Sequence, residues 1–149
     1  MPTHVAIAIL VQDQKFLMQL RNDKPDIVFP GVWGFFGGHM EPGETPAIAV
    51  VRELEEEIGY APPGLTLFAE YPSQTFVRHV FAAPLDVPLT ALELNEGWDM
   101  ALVSIDQVQQ GECYSAVADQ VRSLAPPHRQ ILLDYWQQCM APPEAPQTL

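Results

Sequence analysis

The chain has 149 residues, 48% of them hydrophobic, with 19 acidic against seven basic side chains and a formal net charge of −12. That length and apolar content imply one domain with a sizeable core, residues 1–140, ahead of a Pro-rich tail at 141–149. The charge works against nucleic-acid polymers and anionic membrane surfaces as partners, because both need clustered Lys and Arg. Thr3–Val11 and Lys15–Arg21 read as a strand pair joined by the turn residues Gln12, Asp13 and Gln14. The longest apolar run, Val5 to Val11, is far short of the roughly 20 residues of a membrane span and has no signal-peptide flank. Asn22 to Val32, rich in Asp, Pro and Gly, reads as a loop leading to the short segment Trp33–Gly37. Pro46 to Ile58 is the best-marked helix, with Thr45 as N-cap, Pro46 in the first turn and Gly59 as left-handed C-terminal cap. After Pro62-Pro63-Gly64, Leu65–Tyr71, Thr75–Leu85 and Met100–Ile105 read as strands. A short helix ends at Gly111, and residues 128–140 show helical periodicity. Strands with helices before and after them imply an α/β sandwich of layers. Cys113 and Cys139 lack metal-ligand spacing and read as reduced thiols, which points to the cytoplasm.

On the marked helix, Glu53, Glu56 and Glu57 stand at i, i+3 and i+4 and share one face, while Ala47, Val50, Val51, Leu54 and Ile58 are expected to pack on the sheet. Three like charges so placed repel by a few tenths of a kcal/mol per pair, so the cluster is mildly unfavourable unless a cation neutralises it. Oxygen-only ligands with open positions suit Mg²⁺, with Mn²⁺ able to substitute. Just upstream, GFFGGHMEPGETP (34–46) sets two phenylalanines against glycines and then acids. Glycine without a Cβ lets a ligand approach the backbone closely, and the acids suggest a cation.

From Gly38 the sequence reads G-HMEPG-E-TPAIAVV-R-E-L-E-E-E-I-G-Y, which resembles the Nudix box, G-x5-E-x7-R-E-U-x-E-E-x-G-U with U bulky and apolar. Gly38, Glu44, Arg52, Glu53, Glu56, Glu57 and Gly59 all match, and Tyr60 is the one soft departure. At about 7% per position, chance produces seven such matches on the order of once in 10⁸ starting points. The resemblance implies a Nudix-type α/β/α sandwich with a mixed β-sheet between helices. It also implies metal-dependent hydrolysis of a nucleoside diphosphate linked to another group. It further implies metal ligands among Glu53, Glu56, Glu57 and a backbone carbonyl of Gly37 or Gly38. Arg52 would orient a catalytic carboxylate, while Glu44 and Gly59 would be structural. Glu96, in the stretch LELNEGWD, is the candidate additional ligand or base. Arg21, Arg78 and His79 are candidate phosphate or base contacts, with Phe35 or Phe76 as a stacking surface.

Substrate signatures seen in other branches are missing. The position about sixteen residues past the box, proline in ADP-ribose-cleaving members, falls at Thr75, Phe76 and Val77, and Pro72 is too early. The short members resembling the MutT type remain, which act on nucleoside triphosphates including oxidised ones such as 8-oxo-dGTP. A nucleoside-diphosphate-sugar pyrophosphatase (ADP-ribose or GDP-sugar) and a non-catalytic nucleotide-binding module are the alternatives. A small nucleotide is the expected partner, for a monomer or homodimer.

Overall fold

Strand β1 (Thr3–Gln12) sets Ala6, Ala8 and Leu10 on one face and Ile7 and Ile9 on the other, all buried. A strand buried on both faces belongs in the middle of a covered sheet, and β1 is where this sheet is organised. It runs antiparallel to β2 (Lys15–Leu20) through a two-residue loop whose Asp13 and Gln14 both have positive φ, the geometry that matches strand twist in a tight hairpin. It also pairs antiparallel with β4 (Phe36–His39) and parallel with β6 (Phe76–Pro84). β5 (Thr66–Pro72) lies beyond β6, while β3 (Trp33–Gly34) and β7 (Asp99–Val103) pair with β2, so the seven-stranded sheet is mixed. The computed structural model describes residues 1–24 and 30–142. Residues 25–29 of the expected loop and 143–149 of the expected tail lie outside the described residues.

Helix α1 (Pro46–Ile58) has the span expected from its caps. Thr45 Oγ1 accepts from the Ile48 N–H at 3.2 Å, and Gly59, at φ 68°, donates its N–H to Glu55 O. α2 (Ile105–Gln110) is closed by a reciprocal Ser104–Gln107 capping box. α3 (Pro126–Tyr135) begins two residues before the expected 128 and continues as a π-helical turn, Trp136–Met140. The alanine face of β1 packs under α1, and its isoleucine face packs against Val108 of α2 and Ile131 and Leu132 of α3. The result is an α/β/α sandwich.

The expected strand Met100–Ile105 is shorter, ending at Val103, and Ile105 opens α2 instead. Beyond such shifts at element ends, two larger features depart from the sequence reading. The buried stripe of α1 is Ala49, Val50, Leu54, Glu57 and Ile58, whereas Ala47 and Val51, expected inward, are exposed. The floor below the helix is shallow, made of Ala6, Ala8 and the β4 glycines, so a small Ala49 fits there and the helix turns Glu57 inward. A hairpin of β8 (Glu112–Ser115) and β9 (Gln120–Ser123) was not anticipated. In it Cys113 and Ser115 are buried while Tyr114 and Val121 are exposed, which inverts the pattern that marks a strand.

Gly37 holds β4 against β1 at φ 133°, and a Cβ there would lie 2.2 Å from Ala6 O and 2.6 Å from Ile7 Cα. Both atoms are backbone and cannot step aside. Gly37→Ala should destabilise the fold by about 3 kcal/mol or more, read as a fall in Tm of about 10 °C; an unchanged Tm contradicts the packing described.

Candidate active site

A cleft of about 440 Å³ opens beside β4, lined by two groups of side chains, Glu53, Glu57 and Glu96, which lie near one another, and Arg21, Arg78 and His128 with Phe76. Its acidic end is assembled by one arginine and one strand. Arg52 grips Glu44 through two bonds, Nε to Oε2 at 2.7 Å and Nη2 to Oε1 at 2.8 Å, and donates from Nη1 to Glu53 Oε1 at 3.0 Å. Nη1 also lies 3.4 Å from Glu56 Oε2, and Nη2 donates to His39 O at 3.1 Å. Glu44 in turn accepts from the Glu41 N–H at 2.7 Å. The Arg52 bonds, followed by the Glu41 N–H, hold its carboxyl down at about 2. The guanidinium is raised further above its ordinary value, first by Glu44.

Glu57 is 3% exposed and accepts the Gly37 N–H at 2.7 Å. Burial pushes it up to about 8; Glu96 and Glu53 add to the rise, and the Gly37 N–H and the Gln19 side chain oppose it. Burial also raises Glu53, against Arg52. Glu96 reaches this end because its loop docks on the last turn of α1. Glu93 N–H donates to Ile58 O and Asn95 N–H to Glu57 O, while the Asn95 side chain donates to Glu56 O. Those carbonyls lack intrahelical donors, so the helix end itself anchors the loop.

The sequence-derived residues divide accordingly. Gly37, Gly38, Glu53, Glu57, Glu96, Arg21, Phe35, Phe76 and Arg78 all border the cleft. Glu56 does not border it; its side chain is 60% exposed and turned to Arg52. Glu44 and Gly59 stand as supports, one under Arg52 and one at the helix end. Phe35 is 2% exposed, with His128 stacked on it at 4.9 Å between centroids and 22° between planes. His79 lies on the opposite sheet face from Arg78, as alternation requires. There it meets His4, with Nδ1 of His4 2.9 Å from Nε2 of His79.

Two residues were missed. Gln19, 3% exposed, donates to Phe35 O at 3.2 Å and touches Glu57; a polar residue on the buried face of an apolar strand was its signal. His128 accepts the Phe35 N–H on Nδ1 at 3.0 Å, and only the fold brings it there.

Among the described residues no three His, Cys, Asp or Glu side chains converge on a common metal position. Each carboxylate instead has its own donor, Glu53 and Glu56 on Arg52 and Glu57 on Gly37. The donor set still fits a hard divalent cation, being all oxygen. Gly38 also leaves a gap that a Cβ would fill at 2.8 Å from the Glu53 carboxyl.

A NUDIX domain model matches residues 2–125. The chain belongs to the Nudix family. It is 31% identical over 137 residues to the ADP-ribose pyrophosphatase of Methanocaldococcus jannaschii, covering 89% of this chain and 73% of that one. To the 8-oxo-dGTP diphosphatase of Escherichia coli it is 48% identical over 46 residues, 31% of this chain and 36% of that one. Among solved structures, the MutT protein of Methanosarcina mazei Go1 superposes with a TM-score of 0.70 at 18% identity, covering 93% of this chain and 96% of that one. The chain is a Nudix hydrolase acting on pyrophosphate bonds, and enzymes of this family generally use divalent metal ions. No helix among the described residues is long and apolar enough to cross a membrane, and both cysteines are free, Cys113 buried and Cys139 exposed.

The raised Glu57 gives a pH signature. Without metal the folded protein holds that proton up to about pH 8, against an ordinary carboxylate value of 4.5. Between those limits the native state binds more protons than the unfolded chain, so stability is highest below the window and falls as pH rises through it. One proton sets a limit of about 1.4 kcal/mol per pH unit. Melting of EDTA-treated protein should show Tm declining from about pH 5 to about pH 8, and Glu57→Gln should flatten the decline; a flat wild-type profile contradicts the buried carboxylate.

Proposed function

We propose that the protein hydrolyses a nucleoside triphosphate, 8-oxo-dGTP among the candidates, to the monophosphate and pyrophosphate. The observation that carries this reading is the polarised cleft, with three carboxylates at one end and Phe76 with Arg78, 5.0 Å from guanidinium to ring centroid, at another. Glu53, Glu57 and Glu96, with Glu56 at the margin and a carbonyl of Gly37 or Gly38, would hold Mg²⁺, or Mn²⁺ in its place. Bound there, the cation would neutralise phosphate oxygens and favour the attacking form of water.

The residues of the chain do the rest. Arg52 fixes Glu53 in one orientation, with Glu44 locking the guanidinium from behind. Glu53, held against Gly38, is placed to take a proton from the water that adds to phosphorus as the anhydride bond breaks. Phe76 offers a face for a base, and Arg21 and Arg78, two of the seven Lys and Arg in this acidic chain, supply positive charge. Free cysteines fit a cytoplasmic enzyme.

A second reading, cleavage of ADP-ribose, is favoured by the archaeal pyrophosphatase, whose match extends over most of both chains. The two separate in a panel of dGTP, 8-oxo-dGTP, ADP-ribose and a GDP-sugar at one Mg²⁺ concentration. At least one triphosphate should have the highest kcat/KM, and a sugar-linked diphosphate ahead of both triphosphates by more than about tenfold overturns the triphosphate reading.

Glu53→Gln keeps size and removes charge, so kcat should fall about 10²-fold or more, the scale of one acid–base or electrostatic group. Its Tm should hold or rise slightly as repulsion drops; near-normal turnover contradicts the role given to Glu53. Excess EDTA should abolish turnover, with millimolar Mg²⁺ restoring it, because Mg²⁺ held by few carboxylates binds weakly.

A further inference from the structure

His128 stands at the opening of α3 with its ring fixed in one chemical form. Nδ1 accepts the Phe35 N–H at 3.0 Å, and the ring stacks on Phe35 beneath Gly34, where a Cβ would come 2.9 Å from Nδ1. An imidazole accepting on Nδ1 carries its proton on Nε2. Protonating both nitrogens would remove the acceptor for Phe35. Burial opposes it too, as do the charges of Arg78 and Arg21, which together push the ring well below its ordinary value. His128 therefore borders the cleft as a donor.

Its neighbours on that side have the same character. Arg21 and Arg78 line the cleft and can only donate, so this end contains no acceptor among the three side chains. It is separated from the carboxylates by the backbone between Phe35, which bonds His128, and Gly37 and Gly38, which meet Glu57 and Glu53, about 7 to 10 Å at roughly 3.3 Å per residue of strand. A nucleotide with its phosphates at the carboxylates puts its pentose across that interval and its base at the donor end, beside Phe76. The exocyclic edge of the base then decides the fit. Guanine, uracil and thymine present a carbonyl acceptor there, whereas adenine and cytosine present an amino donor. A donor facing donors leaves both without partners, which costs more than a hydrogen bond gains.

We propose that His128 is a specificity-determining residue, donating from Nε2–H to the exocyclic carbonyl of the substrate base and so selecting keto over amino bases. This rests on the triphosphate reading and deepens it.

The test compares kcat/KM in Mg²⁺ for matched pairs: dGTP against the triphosphate of 2,6-diaminopurine deoxyriboside, and dUTP against dCTP, with ADP-ribose alongside. Wild type should favour the keto member of each pair by about tenfold or more, the size of one lost partner, chiefly through KM. In His128→Ala the ratio should collapse towards one by loss on the keto side. In His128→Gln, whose amide can donate or accept, it should collapse by gain on the amino side relative to the keto side. The Gln variant and the wild-type ratios carry the test if the Ala variant folds poorly. Triphosphate turnover without keto preference, or a preference that survives in His128→Gln, overturns the assignment of His128 alone. Turnover of ADP-ribose, an adenine compound, with none of the triphosphates overturns both this assignment and the triphosphate reading.

Discussion

How closely α1 approaches β4 governs the acidic end of the cleft. The approach depends on side chains that are missing or small: Gly37 and Gly38 in the strand, Ala6 and Ala8 beside them in β1, and Ala49 on the helix. With that floor so shallow, the helix settles with Glu57 in its buried stripe, close enough for the Gly37 N–H to bond the carboxylate at 2.7 Å. Burying a carboxylate is costly unless it is hydrogen-bonded, and one backbone donor leaves most of its acceptor capacity unused. The raised Glu57 value expresses that shortfall.

Arg52 performs the complementary task for the carboxylates that remain near solvent. Its five N–H donors reach Glu44, Glu53, Glu56 and the His39 carbonyl, so one cation offsets the repulsion among helix acids one turn apart. The fork geometry matters as much as the charge. A lysine could neutralise but could not hold Glu44 with two parallel bonds while donating to Glu53 from the remaining nitrogen. Support and reactive candidate are thereby joined through one planar group, and the orientation of Glu53 is inherited from Glu44, eight positions before Arg52.

What the sequence disclosed followed from how local each determinant is. The span of α1 was legible because Thr45, Pro46 and Gly59 act on their own backbone neighbours, and the acids of the box were legible because their spacing is helical. The tilt of the helix was not, since it depends on the depth of a floor built by β1 and β4. Arg78 and His79 looked equivalent as cations on one strand, yet alternation sends one to the cleft and the other to His4 on the far face. The β8–β9 hairpin inverts burial, with Tyr114 and Val121 outward and Ser115 inward, where Ser115 donates to Asp99 at 2.6 Å, a partner 16 positions away. His128 had no local signal at all; its partner Phe35 is 93 residues away.

The two ends of the cleft make opposite demands on a ligand, and that opposition narrows the ligand more than either end does. The carboxylates repel bare phosphate, so a polyanion is tolerated there only when its charge is neutralised. The donor end repels amino groups and draws oxygen, yet a chain with seven Lys and Arg in all has placed two of them, Arg21 and Arg78, along this one opening. Their charge acts over a long range, but His128 is neutral and acts only through contact. Long-range attraction therefore bears on whether an anion enters against a net charge of −12. On the proposal for His128, discrimination between one base and another would fall to this short-range donor, whose Nδ1 is occupied by the Phe35 N–H.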